Sequence, residues 1–164
     1  MATNNVVRML TSKKIAFQLF ELPKEKLGAQ KTAQILNVPI EIVCKTIVVK
    51  RTTPGKSILV VLPGNRSVDL KLIASILGEK KLVLPTEREA EQMTGLQAGG
   101  ISPLALLNKG FQVLIDASVI NYEEIHISAG ERGLNLKIRI PDLVSLTNAK
   151  IHPISSEFDM SLEN

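Results

Sequence analysis

Two neighbouring runs of β-branched residues constrain this chain more than any other feature. Cys44 to Arg51 reads Cys-Lys-Thr-Ile-Val-Val-Lys-Arg, and Ser57 to Leu62 reads Ser-Ile-Leu-Val-Val-Leu. Val, Ile and Thr suit a pleated, packed surface, so both runs predict strands. The short stretch between them contains Thr52-Thr53-Pro54-Gly55, which is turn chemistry, and the pair therefore predicts a β-hairpin.

Helical and strand patterns alternate around that hairpin. Asn4 or Asn5 can cap a helix running to about Lys13, with Val6, Val7 and Leu10 at helical spacing. Ile15 to Leu22 alternates apolar and polar residues and stops at Pro23, as a strand would, and Gly28 to Leu36 predicts a second helix that ends near Asn37 and Pro39. Asp69 can cap a helix placing Leu70, Ile73, Ala74 and Leu77 on one face, with Gly78 as its stop. Leu82 to Leu84 predicts a short strand. Thr86 and Glu89 have the spacing of a capping box for a helix to Met93. Phe111 to Ile115, Glu124 to Ser128 and Leu134 to Ile140 predict three more strands, and Pro141 can open a helix through Leu146. The elements predict a mixed α/β fold with six or seven strands in a curled or closed sheet decorated by helices. Residues 1–154 are expected to form one domain, with 155–164 as a frayed tail.

With 20 Lys and Arg against 16 Asp and Glu, the charge of +4 is mild, so it permits a polyanionic partner without demanding one. Aromatic residues are 3% of the chain, which argues against a platform for stacking successive bases. Cys44 is the single cysteine, Met1 to Leu10 lacks an apolar signal-like block, and no stretch approaches the ~18 apolar residues of a membrane span. A cytoplasmic location, with no membrane association, is the expectation.

No phosphate-binding loop, dinucleotide fingerprint, His-Glu-x-x-His pair or Gly-x-Ser-x-Gly elbow is present. His126 and His152 have no neighbouring ligand set and read as structural or surface residues, so no metal and no cofactor is expected. Three features could carry chemistry. Lys45 shares a strand face with Ile47 and Val49. It is either a lysine whose stem covers apolar surface or a positive charge at the mouth of a pocket, suited to a phosphate or a developing negative charge. Ala98-Gly99-Gly100-Ile101-Ser102-Pro103 is either an ordinary turn or a loop presenting backbone N–H groups to an ester carbonyl. Ser128-Ala129-Gly130-Glu131-Arg132-Gly133 has the same two readings.

Taken in order, Cys44-Lys45-Thr46-Ile47-Val48-Val49, Asp69-Leu70-Lys71, Thr94-Gly95, Gly99-Gly100-Ile101-Ser102-Pro103, Ile115-Asp116 and Ser128 to Leu134 resemble the YbaK/EbsC family of Cys-tRNA(Pro) deacylases. That family includes the editing domain inserted in many bacterial prolyl-tRNA synthetases. The similarity runs from about Val6 to Ala149.

The resemblance implies a mixed sheet curled into a six-stranded barrel with surrounding helices, and hydrolysis of the ester between a mischarged amino acid and the terminal adenosine of tRNA. It assigns the catalytic role to Lys45. Substrate contact falls to Thr46, to Gly99, Gly100, Ile101, Ser102 and Pro103, and to Ser128, Gly130 and Asn135. The family's cysteinyl-removing members use the substrate's own thiol to cyclise the aminoacyl group off the RNA; an alanyl substrate would need water instead. Asn135 stands where that type often has an acidic residue, so the contact there is a neutral hydrogen bond, and the amino-acid preference stays open between cysteine and alanine. Mischarged tRNA, held by its acceptor end, is the expected partner, and prolyl-tRNA synthetase is expected to assist a domain this weakly charged. The other readings are a non-catalytic module that binds tRNA or a synthetase, and a small-molecule esterase.

Overall fold

The computed structural model describes residues 2–157. Its helices are α1 (Asn5–Ser12), α2 (Ala29–Leu36), α3 (Leu70–Leu77), α4 (Glu87–Thr94) and α5 (Ile140–Thr147). Its strands are β1 (Phe17–Glu21), β2 (Cys44–Arg51), β3 (Ile58–Pro63), β4 (Arg66–Val68), β5 (Leu82–Val83), β6 (Gln112–Asp116), β7 (Glu124–Ser128), β8 (Leu134–Arg139), β9 (Lys150–His152) and β10 (Ser155–Glu157). The ends fall where side chains can satisfy the free backbone groups of a helix. Asn4 accepts from Val7 N–H and Asp69 from Leu72 N–H, while Thr86 and Glu89 form the reciprocal capping box. Asn37, Gly78, Gly95 and Asn148 close α2 to α5 in the left-handed conformation.

A five-stranded sheet in the order β5-β2-β3-β6-β9 forms the centre. The predicted hairpin is its middle: β2 pairs antiparallel with β3, and β3 runs parallel to β6. All six residues of β3 are buried, because both faces of the sheet are covered. Val48, Leu59, Val61, Val113 and Ile115 face a core shared with α1, α5 and a three-stranded sheet β1-β8-β7. Ile47, Val49, Ile58, Val60, Leu62 and Leu114 face a second core completed by Ile73 of α3 and Leu82 of β5.

Ten strands are found among the described residues where six or seven were expected, because β4, β9 and β10 have only three residues each and leave no periodic signal. The mixed α/β class holds, but no closed barrel is found among these strands. The two larger sheets meet through a single bridge between Val43 and His126. Ser155–Glu157, assigned by sequence to the tail, pairs with Val68 to Arg66; the rest of that expected tail, 158–164, lies outside the described residues.

Asp116 fastens this C-terminal strand to the central sheet. Its carboxylate is 2% exposed and accepts from Ile154 N–H at 3.0 Å and from Ser118 N–H at 3.2 Å, with Arg66 Nε 4.0 Å away. Removing it would leave a buried Ile154 donor without its acceptor. Asp116→Ala is therefore expected to lower unfolding free energy by about 2 kcal/mol, measured by urea denaturation. Amide exchange at 155–157 should quicken in the same variant; unchanged exchange would show that β10 is held by other contacts.

Candidate active site

The strand β2 is paired along its length on one side only. β3 pairs with Cys44 to Val49, whereas on the opposite edge β5 reaches only Lys50 and Arg51. Beyond that contact the edge opens on a cleft of about 320 Å³, which four consecutive residues, Cys44, Lys45, Thr46 and Ile47, line together. Consecutive lining residues are what a strand edge presents; a strand face would contribute every second residue. The volume falls at the lower end of the range for small-ligand sites.

Three further segments close the cleft. The stretch from Leu22 to Gly28, which has no regular secondary structure, crosses one side and leads into α2. Lys26 pairs with Glu87 at the start of α4, and that ammonium, by hydrogen bond and charge, holds the Glu87 carboxyl below the ordinary carboxylate range. Ala98, Gly99 and Ile101 form a second wall, and Ser128 with Gly133, Leu134 and Asn135 a third.

Lys45 points its ammonium across this space and donates to Gly64 O at 3.4 Å. Gly64 lines the cleft and accommodates no side chain: a Cβ built there would lie 2.0 Å from the Ala29 Cβ. The beginning of α2 thus sits directly against the turn that carries the Lys45 acceptor. The Gly28 end of α2 has no side-chain cap and also lines the cleft, so its free N–H groups add partial positive charge beside Lys45. Cys44 is 7% exposed, and burial pushes its thiol pKa up, which keeps it protonated and inert as a nucleophile.

Of the residues singled out from sequence, Lys45, Thr46, Gly99, Ile101, Ser128 and Asn135 line this one cleft. Gly100, Ser102, Pro103 and Gly130 serve it from behind. Ser102 is fully buried and its Oγ accepts from Leu104 N–H, starting the short 3-10 turn in which Pro103 is itself buried. Gly100 packs on the neighbouring loop, since a Cβ there would stand 2.8 Å from Glu131 Cα and 2.9 Å from Arg132 N. Arg132 Nε completes the junction by donating to Ala98 O at 2.6 Å. The two glycine-rich loops are therefore one packed unit. Lys26, Gly28, Ala29 and Gly64 were missed as site residues by the sequence reading, which had Arg132 only as part of the Ser128 to Gly133 loop. Only Gly64, isolated after a strand, carries a local signal of close backbone approach.

The third wall holds a buried polar pair. Ser128 and Asn135 are partners across β7 and β8. His126, 1% exposed, places Nδ1 3.0 Å from Asn135 Oδ1 and tilts against the Phe20 ring. Burial lowers the His126 pKa. Asn135 and Glu124 oppose that shift, while Lys137 adds to it. Ser128 Oγ accepts from Gly130 N–H at 3.1 Å. Serine and histidine, the two residues that could form a nucleophile and base couple, bond to Gly130 and Asn135 rather than to each other, and His126 is not among the residues that line the cleft.

A model of the aminoacyl-tRNA editing domain family matches residues 24–146. An Enterococcus faecalis protein, EbsC, described as a proposed Cys-tRNA(Pro)/Cys-tRNA(Cys) deacylase, is 29% identical over 155 residues, which is 93% of each chain. A Staphylococcus aureus proline–tRNA ligase is 25% identical over 121 residues, covering 74% of this chain and 20% of the ligase. Among solved structures, a proposed trans-editing enzyme for prolyl tRNA synthetase superposes with a TM-score of 0.78 at 19% identity, over 94% of this chain and 99% of that one. The hypothetical protein APE2540 superposes at 0.85 and 21%, over 93% and 100%.

Two outcomes follow from this geometry. Gly100→Ala must push the Glu131–Arg132 backbone away and is expected to destabilise the protein by about 1–3 kcal/mol in urea unfolding; an unchanged midpoint would show that the loops are not packed as described. Stability should also depend on pH through His126. Its folded pKa lies below the ordinary value of 6.5, so below that value the unfolded chain binds a proton that the folded chain refuses. Stability is full above this range and falls as the pH drops through it toward the depressed folded value. Urea midpoints measured between about pH 7.5 and pH 5.5 should fall in the wild type and fall less in His126→Gln.

Proposed function

This chain belongs to the aminoacyl-tRNA editing domain family, and from that premise we propose that it is a trans-acting deacylase of mischarged tRNA, with Cys-tRNA(Pro) as the first substrate. The observation that carries the reading is a cleft where a lysine ammonium, uncapped helix N–H groups and a rigid glycine loop converge, while Cys44 stays protonated and Ser128 and His126 are not joined as a nucleophile and its base. Such a site binds and orients an ester without attacking it.

In this proposal residues 1–154 act as one editing domain. Lys45 holds a phosphate of the acceptor end or the charge that develops as the ester opens. Backbone groups of Gly99, Ile101 and Ser128, which line the cleft, orient the aminoacyl carbonyl, and Thr46 and Asn135 complete the wall. Ser102 and Pro103 stiffen the loop from behind. The substrate's thiol sulfur attacks its own carbonyl carbon, the C–S bond forms as the ester C–O bond breaks, and the thiol proton ends on the departing ribose hydroxyl. Orientation is the protein's main contribution, because holding the thiol over the carbonyl replaces a diffusive encounter. An alanyl ester has no such group and would require a water placed by the same loop.

The cleft takes only the end of the tRNA, and the net charge of +4 gives weak, salt-dependent attraction to the rest. A synthetase, prolyl-tRNA synthetase by preference, would supply the remaining recognition. The reaction would take place in the cytoplasm, where charged tRNA is found. Among the described residues no helix is long and apolar enough to cross a membrane.

The deciding experiment follows amino-acid release from Cys-tRNA(Pro) and Ala-tRNA(Pro) with the wild type and Lys45→Ala. Lys45→Ala is expected to lower kcat/KM for Cys-tRNA(Pro) by about a hundredfold with an unchanged urea midpoint. Full activity in the variant would remove Lys45 from the mechanism. Release of alanine alone would require the water route, and release of neither would leave a binding module.

A further inference from the structure

The pairing of His126 with Asn135 determines more than local stability. An amide oxygen can only accept a hydrogen bond, so the 3.0 Å contact between Asn135 Oδ1 and His126 Nδ1 requires the proton to sit on Nδ1 of the imidazole. The opposite end of the same amide, Nδ2 with its two N–H donors, is then left for the cleft that Asn135 lines. If His126 instead carried its proton on Nε2, Nδ1 would be an acceptor. Asn135 would have to rotate its amide, turning Nδ2 to the histidine and its oxygen to the cleft. The histidine tautomer therefore decides whether this wall donates or accepts.

The surroundings favour a fixed ring. His126 is 1% exposed, rests against Phe20 with ring centroids 5.3 Å apart, and its backbone bridges to Val43 immediately before β2. Asn135 is 7% exposed and sits on β8 between Phe20 of β1 and Ser128 of β7, its direct partners in the sheet. A buried amide held at one end cannot exchange its two ends without breaking a hydrogen bond in a water-poor site.

We propose that His126 is a positioning residue that locks Asn135 with its N–H donors toward the cleft, so that this wall offers those donors to an oxygen of the bound aminoacyl ester. The inference rests on the deacylase reading for its substrate, but the orientation itself is a property of the protein alone. His126 touches no reacting atom; it acts through Asn135.

The test has one arm for each part. Nitrogen-15 NMR of histidine-labelled wild-type protein at neutral pH reads the tautomer directly. Nδ1 is expected to give the protonated and Nε2 the unprotonated signal of a neutral ring; a proton on Nε2 would overturn the proposal whether or not the protein cleaves any ester. The second arm measures release from Cys-tRNA(Pro) or Ala-tRNA(Pro), whichever is cleaved, in a double-mutant cycle. His126→Phe and Asn135→Ala are each expected to lower kcat/KM about tenfold, and the double variant to lose no more than Asn135→Ala alone. His126→Gln, which can still donate from its side-chain amide, should recover part of the loss. Asn135→Leu, which keeps the bulk and removes both donors, should fall at least as far as Asn135→Ala. Additive losses, or full activity in Asn135→Leu, would overturn the assigned role. If the wild type cleaves neither ester, the deacylase reading fails, and the tautomer still decides whether the amide is locked.

Discussion

The whole site depends on β2 having a strand partner on only one side over Cys44–Val49. Had β5 extended five residues further along that edge, backbone pairing would have sealed the space where Lys45, Thr46 and Ile47 meet the cleft. The edge can stay open because the chain pays nothing for it elsewhere in the sheet: β3 is fully covered on both faces, and β6 and β9 continue the ladder on its far side. An unpaired strand edge normally invites unwanted association. Here α2, the 22–28 segment and the two glycine-rich loops cover it, and the room left between them is the cleft. Stability and function thus draw on the same exposed backbone.

The chemistry of that cleft is one of restraint. No nucleophile and base couple is assembled: Ser128 bonds to Gly130 N–H and His126 to Asn135 rather than to each other, and burial keeps the Cys44 proton in place. What remains are groups that attract and orient, namely an ammonium, helix N–H groups and an amide. An editing enzyme gains from this, since a strong nucleophile in an accessible cleft would also cleave correctly charged tRNA. Discrimination is then set by which substrates bring, or admit, a nucleophile in the right place.

Much of the fold was legible because its signals are local. Cys44–Arg51 and Glu124–Ser128 have in the structure the bounds their residues suggested, and the Asn4, Asp69 and Thr86 caps each form. The three-residue strands β4, β9 and β10 were not legible, because only their partners, distant in sequence, make them strands. The site divides in the same way. Lys45 and the glycine loops announce themselves by residue type, but sequence could not separate Gly99, which lines the cleft, from Gly100, which is fixed by Glu131 and Arg132 behind it. Nor could it reveal that Ala29 forbids a side chain at position 64, since that contact joins a helix start to a turn more than thirty residues away.

The place of β1 has a consequence for how the protein is made. Phe17–Glu21 is made before its partner β8, with Phe17 opposite Ile138. Until that later segment has been synthesised, β1 has no ladder to join, and Leu22 to Gly28, which hangs from its end, has nothing to hold it over the cleft. The hairpin β2–β3 can form first, from neighbouring residues, but the third wall and the covering segment must both wait for β8. Such long-range closure is slow compared with local pairing. A nascent chain therefore carries Lys45 without a complete pocket around it until β8 has been made.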